Sequence, residues 1–196
     1  IKEEMKVPAM IDIEQIDFKN ENDLFLVPVG ISNRHLHLTR EDLDVLYGPG
    51  YELTPIKDLT QPGQFAAEET VNVVGPKGSI EKMRILGPLR SRTQIELAQT
   101  DARKIGIKAP LRLSGDLDGT PGCVLVGPKG YILLKEGVII AKTHLHLSLQ
   151  EGAERGFQDG DLADVYFYGL KKMCLMDVVV RVSDACALDL HMDTDE

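Results

Sequence analysis

A chain of 196 residues, 43% hydrophobic and 27% charged, can bury one large core or two small ones and has an ordinary soluble balance. Its formal net charge of −9 gives no general attraction for nucleic acid or an anionic membrane surface, and no apolar run approaches the ~18 residues of a membrane-spanning helix. Three cysteines (Cys123, Cys174, Cys186) without CxxC spacing argue against a disulfide framework, so a reducing, cytoplasmic setting is expected.

Residues 1–24 are polar and acidic, with scattered apolar positions. Ile13, Ile16 and Phe18 could line one side of a short helix, so a docking peptide competes there with a plain leader. Leu24–Val29 reads as the first strand. Val71–Val74 is another, ended by Gly75-Pro76-Lys77-Gly78. Residues 81–112 hold eight Lys or Arg against three acids, which is either a solvated basic face or a landing site for a phosphate-rich ligand. Thr93–Ile105 reads as a helix: Ile95, Ala98, Ala102 and Ile105 share a face, and Gly106 stands just past the end. Val124–Val126 is a strand ended by Gly127-Pro128-Lys129-Gly130, and Tyr131–Leu134, Val138–Leu147, Asp164–Tyr168 and Asp177–Val182 follow. Short strands with 18 Gly and 10 Pro predict a mainly β fold of the barrel kind.

Two repeats run through the chain. Val-Gly-Pro-Lys-Gly occurs at 74–78 and 126–130; this alignment makes Arg90–Glu96 the counterpart of Lys142–Ser148. Arg34-His35-Leu36-His37-Leu38-Thr39 also matches Thr143-His144-Leu145-His146-Leu147-Ser148. Two related modules facing each other are the simplest architecture that yields both. In a strand, residues i and i+2 lie on one face about 7 Å apart, so each His-Leu-His can aim two imidazoles at one metal ion while the leucines face a core. Thr39-x-x-Asp42 and Ser148-x-x-Glu151 have the form of capping boxes, placing each pair at a strand end before a capped helix.

His191 alternates with apolar neighbours between Asp189 and Asp193, so it is a ligand on a terminal strand or part of a frayed acidic tail. Glu96 is a further ligand candidate, although Thr93-x-x-Glu96 also reads as a capping box. Imidazoles with a carboxylate suit zinc, and also iron, cobalt or nickel. Six donors exceed one tetrahedral ion and suit two ions with vacant positions, able to polarise a carbonyl, bind a thiolate and orient an oxyanion. Arg90 and Arg92 lie close to Glu96 and are either surface residues or phosphate holders, helped by the amides of a helix starting near Thr93. A P-loop, Gly-x-Ser-x-Gly and Gly-x-Gly-x-x-Gly are all absent, which favours metal-assisted chemistry over a covalent nucleophile.

Taken together, Val29–Leu38, Gln61–Thr70 (Gln-Pro-Gly-Gln-Phe-Ala-Ala-Glu-Glu-Thr), Val74–Gly78, Gly87–Glu96 and His144-Leu145-His146 resemble the PduL-type phosphate propanoyltransferases, phosphotransacylases associated with bacterial microcompartments. The similarity runs from about residue 24 to 192. It implies two β-barrel domains with short capping α-helices, one inserted in the other: 21–33 plus 142–196, and 34–141. An N-terminal extension over 1–20 would stand where some members carry an encapsulation peptide. It further implies two zinc ions, one held by His35, His37 and Glu96 and one by His144, His146 and His191. Arg90 matches the phosphate-binding, catalytic arginine, and Arg92 is a second candidate for phosphate. The implied reaction interconverts acyl-CoA (propanoyl-CoA or acetyl-CoA) plus phosphate with acyl phosphate plus CoA. A cytoplasmic homodimer is expected, inside a microcompartment with shell or cargo enzymes as partners and with neither nucleic acid nor membrane. A di-metal hydrolase of a thioester or phosphoester, and a non-catalytic zinc-stabilised scaffold, are the alternatives.

Overall fold

Buried and more exposed residues alternate along stretches such as 67–73 and 162–167, which the structure forms as strands. The structure, a computed structural model, describes residues 24–196. The extension over 1–20, with its encapsulation and helix readings, lies outside the described residues. The chain begins in one sheet with β1 (Val29–Ser32), then crosses to a second sheet. There it forms β2 (His35–His37), α1 (Arg40–Tyr47), β3 (Pro55–Asp58), β4 (Phe65–Gly75), β5 (Gly78–Gly87), β6 (Gln94–Glu96), α2 (Gln99–Ile105), β7 (Leu111–Arg112), β8 (Val124–Val126), β9 (Tyr131–Leu133) and β10 (Val138–Ala141). It returns to the first sheet with β11 (His144–Leu147), α3 (Leu149–Arg155), β12 (Leu162–Phe167), β13 (Met173–Val182) and β14 (Asp189–Asp193). The fold is mainly β, with a sheet curled into a half-barrel. The five-stranded sheet has the order β1-β14-β11-β13-β12; the nine-stranded one runs β7-β10-β6-β2-β5-β4-β8-β9, with β3 on β4.

Each sheet has its own core. Leu36, Leu38, Leu43, Leu46, Ile85, Ile95 and Ile105 are buried together in one, and Leu145, Leu147, Val180, Leu190 and Met192 in the other. The leucines of both His-Leu-His strands therefore face a core, as their period of two requires, and turn the histidines to the opposite face.

The two His-Leu-His strands are set in matching ladders. Strand β2 lies between β5, to which it is parallel, and β6, to which it is antiparallel; His35 faces Glu96 and His37 faces Gln94. Strand β11 lies between β13, parallel, and β14, antiparallel; His144 faces His191 and His146 faces Asp189. The counterpart of Glu96 is thus His191, which corrects the alignment of Arg90–Glu96 with Lys142–Ser148. The Val-Gly-Pro-Lys-Gly repeat has another meaning. Both copies are hairpin turns, β4–β5 and β8–β9, and each closes the end of a helix. The Lys77 amide donates to the Ile105 carbonyl of α2 at 3.0 Å, and the Lys129 amide to the Leu46 carbonyl of α1 at 3.0 Å.

Three other expectations are corrected. The helix read over Thr93–Ile105 begins only at Gln99. Residues Gln94–Glu96 are a strand, because β2 and β10 offer ladder partners on both sides and that pairing outweighs helical periodicity. Helix α2 consequently supplies no amides beside Thr93, and Glu96 closes no capping box. Val138–Leu147 is two strands in different sheets, broken at Lys142, whose amide donates to the Arg112 carbonyl. The first strand starts at Val29 rather than Leu24. Phe25 and Val27 pack on the second core, while Pro28, which has no N–H to donate, accepts from the Leu190 amide.

The caps behave unequally. Ser148 and Glu151 form the reciprocal capping box. At α1, Thr39 accepts from the Asp42 amide, but Thr93 stands in the reciprocal position, accepting from the Thr39 amide and donating to the Asp42 carboxylate. Residues next to the candidate site thus tie α1 to β6.

Candidate metal centre and anion site

Both histidine pairs sit where the chain has just crossed between sheets, and their neighbours fix the rings. His35 Nδ1 lies 2.8 Å from the Asn33 carbonyl and His37 Nδ1 3.2 Å from the Leu86 carbonyl. A carbonyl only accepts, so both Nδ1 atoms carry the proton and both Nε2 atoms are bare lone pairs. His35 Nε2 faces Glu96 Oε2 at 3.5 Å. A proton on Nε2 or a cation between the two atoms would each turn this contact into an attraction. The other Glu96 oxygen accepts from Ser114 Oγ at 3.1 Å and from the Gln94 amide. Gln94 also donates to Ser114 at 2.7 Å, and Arg90 donates to Ser114 Oγ at 3.0 Å.

In the second trio, His144 Nδ1 donates to the Lys142 carbonyl at 2.8 Å, which bares its Nε2; His146 Nε2 lies 3.0 Å from it. His146 Nδ1 meets Cys186 Sγ at 3.1 Å. His191 is oriented by Asp189, whose Oδ2 lies 2.9 Å from His191 Nε2. Within each trio, His35/His37/Glu96 and His144/His146/His191, one donor atom from every residue lies within 4.8 Å of the others. All six metal candidates read from the sequence are therefore gathered into two groups of three. Transition-metal sites are built from such donors, with the remote imidazole nitrogen hydrogen-bonded.

The protonation states match. Burial, helped by Arg90 and His35, pushes the His37 imidazole down to about 3. Burial and then the His144 and His191 rings push His146 down to about 3, and burial lowers His144 as well. Burial pushes Glu96 upward, but His35, His37 and Arg90 outweigh it and hold the carboxyl at about 2. Neutral imidazoles and a carboxylate anion are what a divalent ion requires, and His37, His144, His146 and Glu96 are pushed toward those forms.

Arg90 and Arg92 part company. Arg90 is half-buried and acts on His37 and Glu96. Arg92 is partly exposed and reaches Asp118 at 2.8 Å and Glu136 at 2.5 Å, so its charged neighbours are surface carboxylates. The basic stretch is likewise dispersed: Arg84 donates to the carbonyls of Ala67 and Glu68, and Arg112 to Asp116.

The structure adds residues that sequence reasoning missed. Arg181 on β13 lies opposite His146 and acts on His144, His146 and Arg90. Neither Arg90 nor Arg181 makes an ion pair among the described residues. Burial lowers Arg90, Glu96 raises it and Arg181 lowers it, as expected of two cations sharing one region. Glu96 also acts on His144, so the two trios face each other closely enough to interact. Gln94, Ser114 and Asp189 were missed too. The signals were a lone Arg in the run Val178-Val179-Val180-Arg181-Val182, and the i, i+2 spacing of Gln94 to Glu96 and Asp189 to His191; Ser114 had none.

A family model described as Phosphate propanoyltransferase matches residues 28–196. The chain belongs to the phosphate propanoyltransferase family. It is 52% identical over 169 residues to a Phosphate propanoyltransferase of Thermotoga maritima, covering 86% of this chain and 80% of that one. Against the protein of that name from Rhodopseudomonas palustris the identity is 48% over 174 residues (89% and 77% covered). For the one from Rhodobacter capsulatus it is 46% over 176 residues (90% and 82%). As a member of this family the chain is an acyltransferase enzyme that acts with phosphate. Both trios, Arg90 and Arg181 fall inside the matched region. Among the described residues no helix is long and apolar enough to cross a membrane.

Proposed function

We propose that this chain moves a propanoyl or acetyl group between coenzyme A and inorganic phosphate at a site that holds two zinc ions. His35, His37 and Glu96 would hold one, and His144, His146 and His191 the other. Zinc bound there would supply Lewis acidity, polarising the thioester carbonyl and stabilising the departing thiolate. One observation carries the reading: Arg90 and Arg181, without carboxylate partners among the described residues, stand beside two trios of preformed metal donors. A purely structural metal site has no use for two unpaired guanidiniums, whereas a phosphate does.

The reaction forms a bond from a phosphate oxygen to the acyl carbon and breaks the carbon–sulfur bond, so that CoA leaves as its thiolate. Arg90 and Arg181 would bind the phosphate as two forks, offsetting its charge and presenting one oxygen to the acyl carbon. Ser114 steadies Arg90 for that task, and Gln94 and Ser114 fix Glu96. Through the family resemblance the same proposal reads residues 34–141 as one domain and 21–33 plus 142–196 as the other, each of the β-barrel kind. A cytoplasmic homodimer inside a bacterial microcompartment, in contact with shell or cargo enzymes, belongs to the same proposal through the family resemblance.

The test begins with protein purified without chelators. Zinc is measured per chain, and thiol release from propanoyl-CoA is followed with and without phosphate. The expected result is two zinc ions, release only when phosphate is present, and loss of turnover in His144→Ala. Release without phosphate would favour a di-metal hydrolase. A metal-free wild type, or wild-type turnover in His144→Ala, would overturn the proposal.

A further inference from the structure

The matched ladders around β2 and β11 make Gln94 and Asp189 equivalent positions. Each lies two residues before a metal candidate on the same strand, and each faces the second histidine of its pair. Their chemistry is opposite, and so is that of the groups they support. Glu96 is an acceptor, and Gln94 presents it with an amide N–H donor. His191 has an N–H to give, and Asp189 presents it with a carboxylate at 2.9 Å.

Asp189 is only 1% exposed, and its Oδ1 has no partner among the described residues. Its Oδ2 accepts from Thr60 Oγ1 at 2.5 Å as well as meeting His191 Nε2. No Lys or Arg pairs with it among the described residues. A buried carboxylate so placed requires a positive charge nearby, and the imidazole of His191 is the route to one. The neighbouring strand leaves room for it: a Cβ on Gly30, which faces His191 on β1, would come 2.8 Å from Asp189 Oδ2. The other sheet clamps the region. Gln61 donates to the Ala187 carbonyl and accepts from the Ala187 amide, both at 3.1 Å, beside the Thr60 contact.

We infer that Asp189 is the positioning residue of the second metal site. It holds the Nε2–H of His191, so that His191 ligates through Nδ1, whereas His35, His37 and His144 present Nε2. The inference rests on the metal reading above. Thr60 and Gln61, in the loop between β3 and β4, thereby help set the geometry of a ligand through Asp189, which lies 129 residues from Thr60 in sequence.

The experiment uses the full chain with zinc. Zinc per chain is measured against a competing chelator for wild type, Asp189→Asn and Thr60→Val. Long-range nitrogen–proton NMR of the zinc-loaded wild type, with His191→Ala to assign the signals, reads the His191 tautomer. The second zinc is expected to bind about 10- to 100-fold more weakly in Asp189→Asn, the first being unchanged, with a smaller loss in Thr60→Val. His191 should show Nε2 protonated and Nδ1 on the metal. Metal-free protein should melt no lower in Asp189→Asn than in wild type, since a buried charge has been removed; a merely structural residue would do the reverse. Two zinc ions held with wild-type affinity in Asp189→Asn and Thr60→Val, or Nε2 ligation of His191, would overturn the inference while leaving the two-zinc reading intact. A wild type without zinc would sink both.

Discussion

Gly127 offers a test of how the repeat works. The turn Gly127–Gly130 presses on the end of α1, the helix that follows His37. A Cβ on Gly127 would lie 2.6 Å from the Leu46 carbonyl oxygen and 2.8 Å from Leu46 Cβ, where ordinary contact begins at 3.4 Å. The turn must retreat by roughly 0.8 Å, which takes the Lys129–Leu46 hydrogen bond from 3.0 Å beyond the range of a bond. Losing it leaves a helix-terminal carbonyl unpaired beside a buried Leu46, at about 1–3 kcal/mol, and the displacement adds about 1–3 kcal/mol of strain. The reduced freedom of the unfolded chain returns about 0.4–1 kcal/mol. Gly127→Ala should therefore destabilise by about 2–4 kcal/mol, which in a chain of this size lowers the melting temperature by roughly 5–15 °C. Gly78 occupies the last position of the other copy, and a Cβ there meets only the Lys104 carbonyl at 3.6 Å. Gly78→Ala should melt within about 2 °C of wild type. Thermal unfolding followed by circular dichroism on metal-free protein decides it; the two variants melting together would refute the helix-closing role.

Removal of metal should expose a pH dependence. His37 and His146 are pushed to about 3 in the folded chain, while an unfolded histidine titrates near 6.5. The unfolded state therefore binds more protons between those values, and stability rises with pH across that window, is complete above about 6.5 and is lost as the pH falls. At pH 5 each histidine should subtract about 2 kcal/mol; urea unfolding of chelator-treated protein at pH 7 and 5 checks this, and equal midpoints would refute it. Arg90→Ala should lower kcat/KM for phosphate on the order of 10- to 100-fold, as loss of a charged hydrogen-bonding partner does. Arg92→Ala should stay within about twofold, because its partners are exposed carboxylates. Equal effects of the two substitutions in steady-state kinetics would contradict the division between them.

What could be read from the sequence was whatever depends on a period of two. His35 with His37, His144 with His146, and His191 between apolar neighbours each declare a face, and the structure gathers them as declared. What could not be read depends on which strand lies next to which. Glu96 stood in a stretch with genuine helical spacing, and only the ladders to β2 and β10 make it a strand residue opposite His35. The Val-Gly-Pro-Lys-Gly repeat was visible, but its partner, a helix end in each case, lies elsewhere in the chain, so it suggested the wrong alignment. Asp189 looked like one acid in an acidic tail; the role proposed for it involves Thr60, brought to it by the loop between β3 and β4. Arg181 reaches the site only because parallel pairing sets it beside His146. The paired candidate donors, His35 with His37 and His144 with His146, are local in sequence because two residues on one strand need no tertiary fold to share a face. Of the groups that orient them, Asn33, Lys142, Asp189 and Gln94 stand two residues away in sequence, whereas Leu86, Cys186 and Ser114 are brought by neighbouring strands and loops that only the fold sets beside them.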